Sequence, residues 1–167
     1  MQRLNPFVGN IHFDANIADH IKALDRSAVV RILQLNEEGD INLIVPQSVR
    51  QELLRSATPS VVRSVAFEHI FTMSPLTSEE QAEQRTFIEA LRGDAKPENI
   101  DCDLKHVWDA AKHGGRFFLT VDRRLLKRAD KIFEHKLICV LTPEDFVTQI
   151  DAALARGDPR PRRNVLR

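Results

Sequence analysis

The sequence predicts a three-layer α/β/α fold around a mostly parallel central sheet, and two observations predict it. Short apolar runs alternate along the chain with longer stretches of helical period. The chain has 167 residues, 43% of them apolar, which suits one domain with a full core. Strands that alternate with helices imply a parallel sheet covered on both faces.

The elements follow in order. "NIHFDAN" places a strand at about Ile11–Asp14. Ile17, Ile21 and Leu24 then recur at helical spacing. Val29, Val30, Ile32, Leu33 and Leu35 carry the pattern to a stop at Gly39. "INLIVP" (41–46) is a second buried strand, and "PQSVRQELLRSA" starts a helix with Pro46 near its beginning. "VVRSVAFEHIF" reads as a further helix. "TSEEQAEQRTFIEALRG" is another, with Thr77 and Glu80 spaced as a capping box and Gly93 as its stop. This helical block, 47–92, is an insertion between strands two and three. A helix over Asp101–His113, the strand "RFFLTV", the short helix "RRLLKRAD", the strand "KLICVLTP" and a helix over Pro143–Ala155 complete a single domain, 1–155. The tail, 156–167, holds five Arg, one Asp and two Pro, and is expected to be basic and flexible.

Bulk composition excludes some classes of function. Lys+Arg and Asp+Glu number 24 each, so a uniformly basic nucleic-acid coat is disfavoured, though a local basic patch is not. No apolar run approaches membrane length, and the N-terminus lacks the apolar core of a secretion signal. Cys102 and Cys139 have no metal-type spacing, which fits a reduced, cytoplasmic protein.

Four acids stand out by topology. In an open α/β sheet, sites form beyond the carboxyl ends of the strands. Asp14 closes the first strand and Asp122 the third. Glu52 lies in the second turn of the helix after strand two, and Asp103 in the first turn of the helix before strand three. Asp103 shares a face with Val107, Ala110 and Ala111. All four are expected at one rim. Clustered carboxylates raise one another's pKa unless a cation binds, and Mg²⁺ or Mn²⁺ suits oxygen donors. Each acid also has a structural reading. Asp122 could cap "RRLLKR", and Asp101 could cap its helix. Glu52 could pair with Arg55, and Asp103 could answer the helix dipole. Asn16 is the expected cap of the first helix, which would leave Asp14 free.

With these positions placed, roughly residues 10–145 resemble a PIN-domain nuclease of the toxin type. "FDAN" (13–16) resembles the family's opening strand, with Asp14 as first metal-site acid and Asn16 as its polar companion. "IVPQSVRQEL" (44–53) resembles the segment carrying the second acid, Glu52. "DLKHVWDAAKHGG" (103–115) resembles the acidic helix, and "FLTVD" (118–122) matches the Thr-x-Asp closing strand through Thr120 and Asp122. The resemblance implies a metal-dependent endoribonuclease, in many members the toxin of a toxin–antitoxin pair, inhibited by a small antitoxin protein and often a homodimer. On this reading Asp14, Asp103 and Asp122 hold Mg²⁺ or Mn²⁺. Glu52 completes the catalytic set, and Asn16 and Thr120 hydrogen-bond the carboxylates or the substrate. Asp101 competes with Asp103 for the third acid position.

Arg123, Arg124 and Arg128 follow Asp122 and are candidates to contact RNA phosphates, with Lys127 and Lys131 nearby. A solvated helix face explains them equally well. None of the six histidines is assigned to chemistry, and Trp108 is expected in the core. A haloacid-dehalogenase-type phosphatase would want Asp where Asn16 stands. A receiver domain would want Lys after Leu141. The remaining alternative is a catalytically inactive PIN-like module that binds RNA or protein.

Overall fold

A computed structural model describes residues 4–72 and 75–160. Five strands form one parallel sheet: β1 (Asn10–Phe13), β2 (Asn42–Val45), β3 (Ile70–Phe71), β4 (Gly115–Leu119) and β5 (Cys139–Leu141). Their order is β3-β2-β1-β4-β5. The chain builds outward from β1 to β3, then returns to pair β4 with the other side of β1. The order therefore reverses between β1 and β4, and ligand sites of open sheets lie beyond the strand ends at such a point.

α1 (Ala15–Ala23) and α2 (Ser27–Glu38) connect β1 to β2. A helical insertion of α3 (Gln47–Leu53), α4 (Ser60–Arg63) and α5 (Val65–Glu68) stands between β2 and β3. α6 (Ser78–Arg92) and α7 (Asp101–Lys112) lead into β4. α8 (Arg123–Leu126) and α9 (Ala129–Lys136) lead into β5, and α10 (Pro143–Arg156) follows. Strand side chains alternate between the two covered faces. Ile11, Phe13, Phe117 and Leu119 pack with Ile17, Ile32, Leu35, Phe146 and Ile150 of α1, α2 and α10. Phe118 and Val140 pack on the other face with Phe87, Leu104, Val107 and Ile132 of α6, α7 and α9. This is the expected three-layer α/β/α sandwich. Trp108 is buried with the second group. No helix among the described residues is long and apolar enough to cross a membrane.

The structure revises several local expectations. The apolar pattern of 17–35 is two helices, because Leu24 takes a left-handed conformation (φ 50°) and ends α1. "VVRSVAFEHIF" is not one helix. It breaks into α4, α5 and the edge strand β3. The free edge of β2 offers backbone partners there, with Thr72 N–H donating to Val45 O at 3.3 Å. The Arg50 guanidinium also lies 4.0 Å from the Phe71 ring centroid. Both contacts come from residues distant in sequence, so local periodicity cannot report them.

The capping box on α6 is present, with both reciprocal bonds between Thr77 and Glu80. Gly157 ends α10 in a left-handed conformation. Beyond it, Arg160 pairs with Asp40 at 2.9 Å and lies over the Phe7 ring. The remainder of the basic tail, from 161 onward, lies outside the described residues.

Candidate metal centre

Asp14 is the first residue past β1, at the point where strand order reverses. Its backbone N–H donates to Leu119 O at 2.9 Å, which ties it to β4. Its side chain caps α1, Oδ1 accepting from Ala15 N–H at 2.8 Å. That corrects the expectation that Asn16 is the cap. The Asp14 backbone is extended (φ −81°, ψ 159°), the conformation a capping residue needs, whereas Asn16 already sits within the first turn.

Asn16 braces the acid instead. Its Nδ2 donates to Asp14 Oδ2 at 2.8 Å and lies 3.1 Å from Thr120 Oγ1, while its Oδ1 accepts from Val121 N–H at 3.2 Å. Thr120 Oγ1 spends its single proton on Asp14 Oδ2 at 2.8 Å and accepts from Asp122 N–H at 3.0 Å. With a fourth contact from His106, Asp14 has two partners on each oxygen, the full complement of a carboxylate. Asp14 is 2% exposed, so this full set of partners is what makes its burial tolerable.

α7 supplies the opposite wall. His106, 1% exposed, places Nδ1 3.2 Å from Asp14 Oδ1 and Nε2 3.3 Å from Glu52 Oε2. Cys102 Sγ lies 3.6 Å from the same Nε2 and 3.4 Å from Glu52 Oε2. Burial alone would depress the imidazolium. Hydrogen bonds to Asp14, Cys102 and Glu52 outweigh it and hold the His106 pKa well above its ordinary value. The same imidazole holds the Glu52 carboxyl below its ordinary value, against partial desolvation.

His106 is the member of these clusters that sequence reasoning missed. A signal for it exists: it stands three residues after Asp103 and four after Cys102, on one side of a helix. What could not be read is that Glu52 arrives at its other nitrogen.

Asp103, half-buried, has its pKa pushed up to about 6, first by burial and then by the charges of Asp14 and Asp122. Asp14, Asp103 and His106 offer ligand atoms that all lie within 4.8 Å of one another, and so do Glu52, Cys102 and His106. Asp122 caps α8, with Oδ1 accepting from Arg124 N–H at 2.6 Å, and pairs with the Arg124 guanidinium at 2.9 Å. Burial works against ionisation of Asp122, but the contacts from Arg124 hold its pKa low. Asp122 thus reaches the rim, where Asp103 feels its charge, while its carboxylate is turned onto Arg124.

The remaining candidates are placed as follows. Asp101 is not the helix cap. Ile100 holds that position, and the Asp101 carboxylate forms a forked pair with Arg92, Nε donating at 2.7 Å. Arg128 directs its guanidinium to the backbone carbonyls of Leu91, Arg92 and Arg124, so its donors hold the end of α6. Arg123 and Arg124 are exposed.

No protein-family model matches the chain, and no curated protein matches it in sequence. Fold and site alone therefore define the class. This is a three-layer α/β protein whose mostly parallel sheet carries acid and histidine clusters, able to coordinate a divalent metal, at the point where strand order reverses. That arrangement is consistent with a PIN-like fold.

Proposed function

We propose that this protein is a divalent-metal-dependent endoribonuclease. The observation that carries the reading is the meeting of Asp14, Asp103 and His106 at the strand-order reversal, with Asp122 close enough to raise the Asp103 pKa. The donor set fits the group. Oxygen ligands suit Mg²⁺ or Mn²⁺, and carboxylates that repel one another gain from a cation between them. Asp14, Asp103 and Asp122 would hold the ion. When bound, it supplies Lewis-acid polarisation of a phosphoryl oxygen and a more acidic water.

The chain's own residues do the rest. Asn16 and Thr120 fix the orientation of Asp14. Glu52, partly open to solvent, orients the attacking water. Arg123 and Arg124 meet phosphates beside the acids. A cleft of about 400 Å³ between α3, α6 and α7 is lined by Gln47, Gln51, Gln84 and Lys105, whose amides and ammonium suit base edges and phosphate. Val61 and Phe67 of the inserted segment and Ile70 of the adjoining edge strand β3 are exposed apolar side chains, a surface for a second copy or a small antitoxin-like protein.

One observation favours a second reading, a module that binds RNA or protein without cleaving it. Every acceptor site of Asp14 is filled and Asp122 is held by Arg124, so coordination must first exchange existing contacts.

The test is cleavage of a defined RNA pool in Mg²⁺ and in Mn²⁺ by the wild type and by folded Asp14→Asn and Asp122→Asn variants. Loss of cleavage in both variants is expected. Undiminished cleavage by both would sink the assignment. Wild-type protein that binds metal but cleaves no RNA would favour the second reading.

A further inference from the structure

We infer that Glu52, Cys102 and His106 form a zinc site, distinct in chemistry from the acid cluster and independent of whether RNA is cleaved. The three ligand atoms are Glu52 Oε2, Cys102 Sγ and His106 Nε2. Their separations are 3.3 Å for nitrogen to oxygen, 3.6 Å for sulfur to nitrogen and 3.4 Å for sulfur to oxygen. Ordinary zinc–ligand lengths in a tetrahedron give edges of about 3.4, 3.6 and 3.6 Å for the same pairs. The three atoms thus already outline one face of a zinc tetrahedron. An octahedral Mg²⁺ site would need its neighbouring oxygens about 2.9 Å apart, and it would not recruit sulfur. The imidazole–carboxylate separation is likewise longer than the usual hydrogen bond of about 2.9 Å.

A second observation concerns the far side of the ring. A carboxylate can only accept, so His106 Nδ1–H donates to Asp14 Oδ1 at 3.2 Å. With Nδ1 engaged there, Nε2, which faces Glu52 and Cys102, is the nitrogen that coordinates once its own proton is released. Zinc-bound histidines characteristically donate their other N–H to a buried carboxylate in this way, which orients the ring and raises its basicity. Asp14, almost fully buried and braced by Asn16 and Thr120, is such a partner.

The set also has a way in. Cys102 is exposed and the Glu52 side chain is 34% exposed, so the fourth position opens to solvent and accepts a water. Binding releases the thiol proton and the proton on His106 Nε2, and no change of oxidation state is involved. Because Glu52 and His106 also flank the acid cluster, zinc here withdraws both from it.

The site is tested on the untagged, metal-free full chain, titrated with Co²⁺ as a spectroscopic probe and then with Zn²⁺. The expected result is one tetrahedral Co²⁺ per chain with a thiolate-to-cobalt charge-transfer band, displaced by Zn²⁺. Cys102→Ser should remove the band and weaken Zn²⁺ binding by at least about 100-fold, beyond the loss that a missing supporting contact causes. Cys139→Ser should change neither, and circular dichroism confirms that both variants are folded. Absence of a thiolate band in the wild type, its survival in Cys102→Ser, or unchanged Zn²⁺ affinity in that variant would each overturn the proposal. No RNA enters the measurement, so its failure and that of the ribonuclease reading are separable.

Discussion

Asp109 of α7 holds Ser48 of α3 twice: its Oδ2 accepts from the Ser48 backbone N–H at 2.9 Å and from the hydroxyl at 3.0 Å. Pro46, at the capping position of α3, makes no side-chain cap, so an acid from a neighbouring helix does that work. The contact sets α3 against α7, and therefore Glu52 against His106. Asp109→Ala leaves the buried Ser48 donors unpaired. We expect it to cost roughly 2–3 kcal/mol, read as a lower urea midpoint with an unchanged slope. An unchanged midpoint would mean that the pair is not holding the helices.

Asp103→Asn should stabilise the metal-free protein at neutral pH. The Asp103 pKa is raised from 3.8 to about 6 in the fold. Between those values the folded chain keeps a proton that the unfolded chain has released. Stability therefore falls as pH rises through that window, and the whole penalty is present at pH 7. Removing it should gain on the order of 1–2 kcal/mol after allowing for solvent contact, and nothing at pH 3. Melting curves in chelator at the two pH values check the gain. If Mn²⁺ binds at this cluster, it should raise the Tm of the wild type, and the same variant should lose that rise.

His12 is expected to make the fold acid-sensitive. It lies in β1, fully buried, and neither ring nitrogen has a hydrogen-bond partner among the described residues. Burial, with a smaller contribution from the charge of His113, drives its pKa down to about 3. As pH falls below 6.5 the unfolded chain takes up a proton that the folded chain refuses. The stability held above 6.5 should be lost towards 3, by roughly 4 kcal/mol. His12→Leu should flatten the stability profile between pH 6.5 and 4. Parallel profiles for variant and wild type would show that other groups set the acid limit.

Arg123 is exposed beside Asp122, which suits a phosphate contact more than a structural one. If RNA binds here, Arg123→Gln should weaken binding evenly across sequences. It should also lower the slope of log affinity against log salt by about 0.7, the value for one phosphate of a single strand. A slope that does not move places the RNA elsewhere.

Much of the fold is readable without coordinates because it is written in local signals. Thr77 and Glu80 announce the start of α6, and the compact apolar run Phe117–Leu119 in "RFFLT" announces β4, a strand buried on both faces. Asp14, Glu52 and Asp103 could be placed at one edge because parallel topology sends every strand end there. What escaped reading depends on partners far along the chain. β3 exists because β2 has a free edge, and Ile70 alone carries no sign of it. His106 looks like an ordinary helical residue until Glu52 and Asp14 stand on either side of it. Arg128 looked available to phosphate, yet three carbonyls of neighbouring helix ends take its guanidinium.

The pairing of β1 with β4 has a bearing on when the rim comes into being. Asp14 depends on Thr120, 106 residues further on, for one of its four contacts, and its own amide depends on Leu119. As the chain leaves the ribosome, Asp14 is made before both α7, which brings His106, and β4, which brings Thr120 and Leu119. Contacts of such long separation form late and slowly. Whatever chemistry this edge performs is withheld from the nascent chain until β4 has been made and has paired with β1.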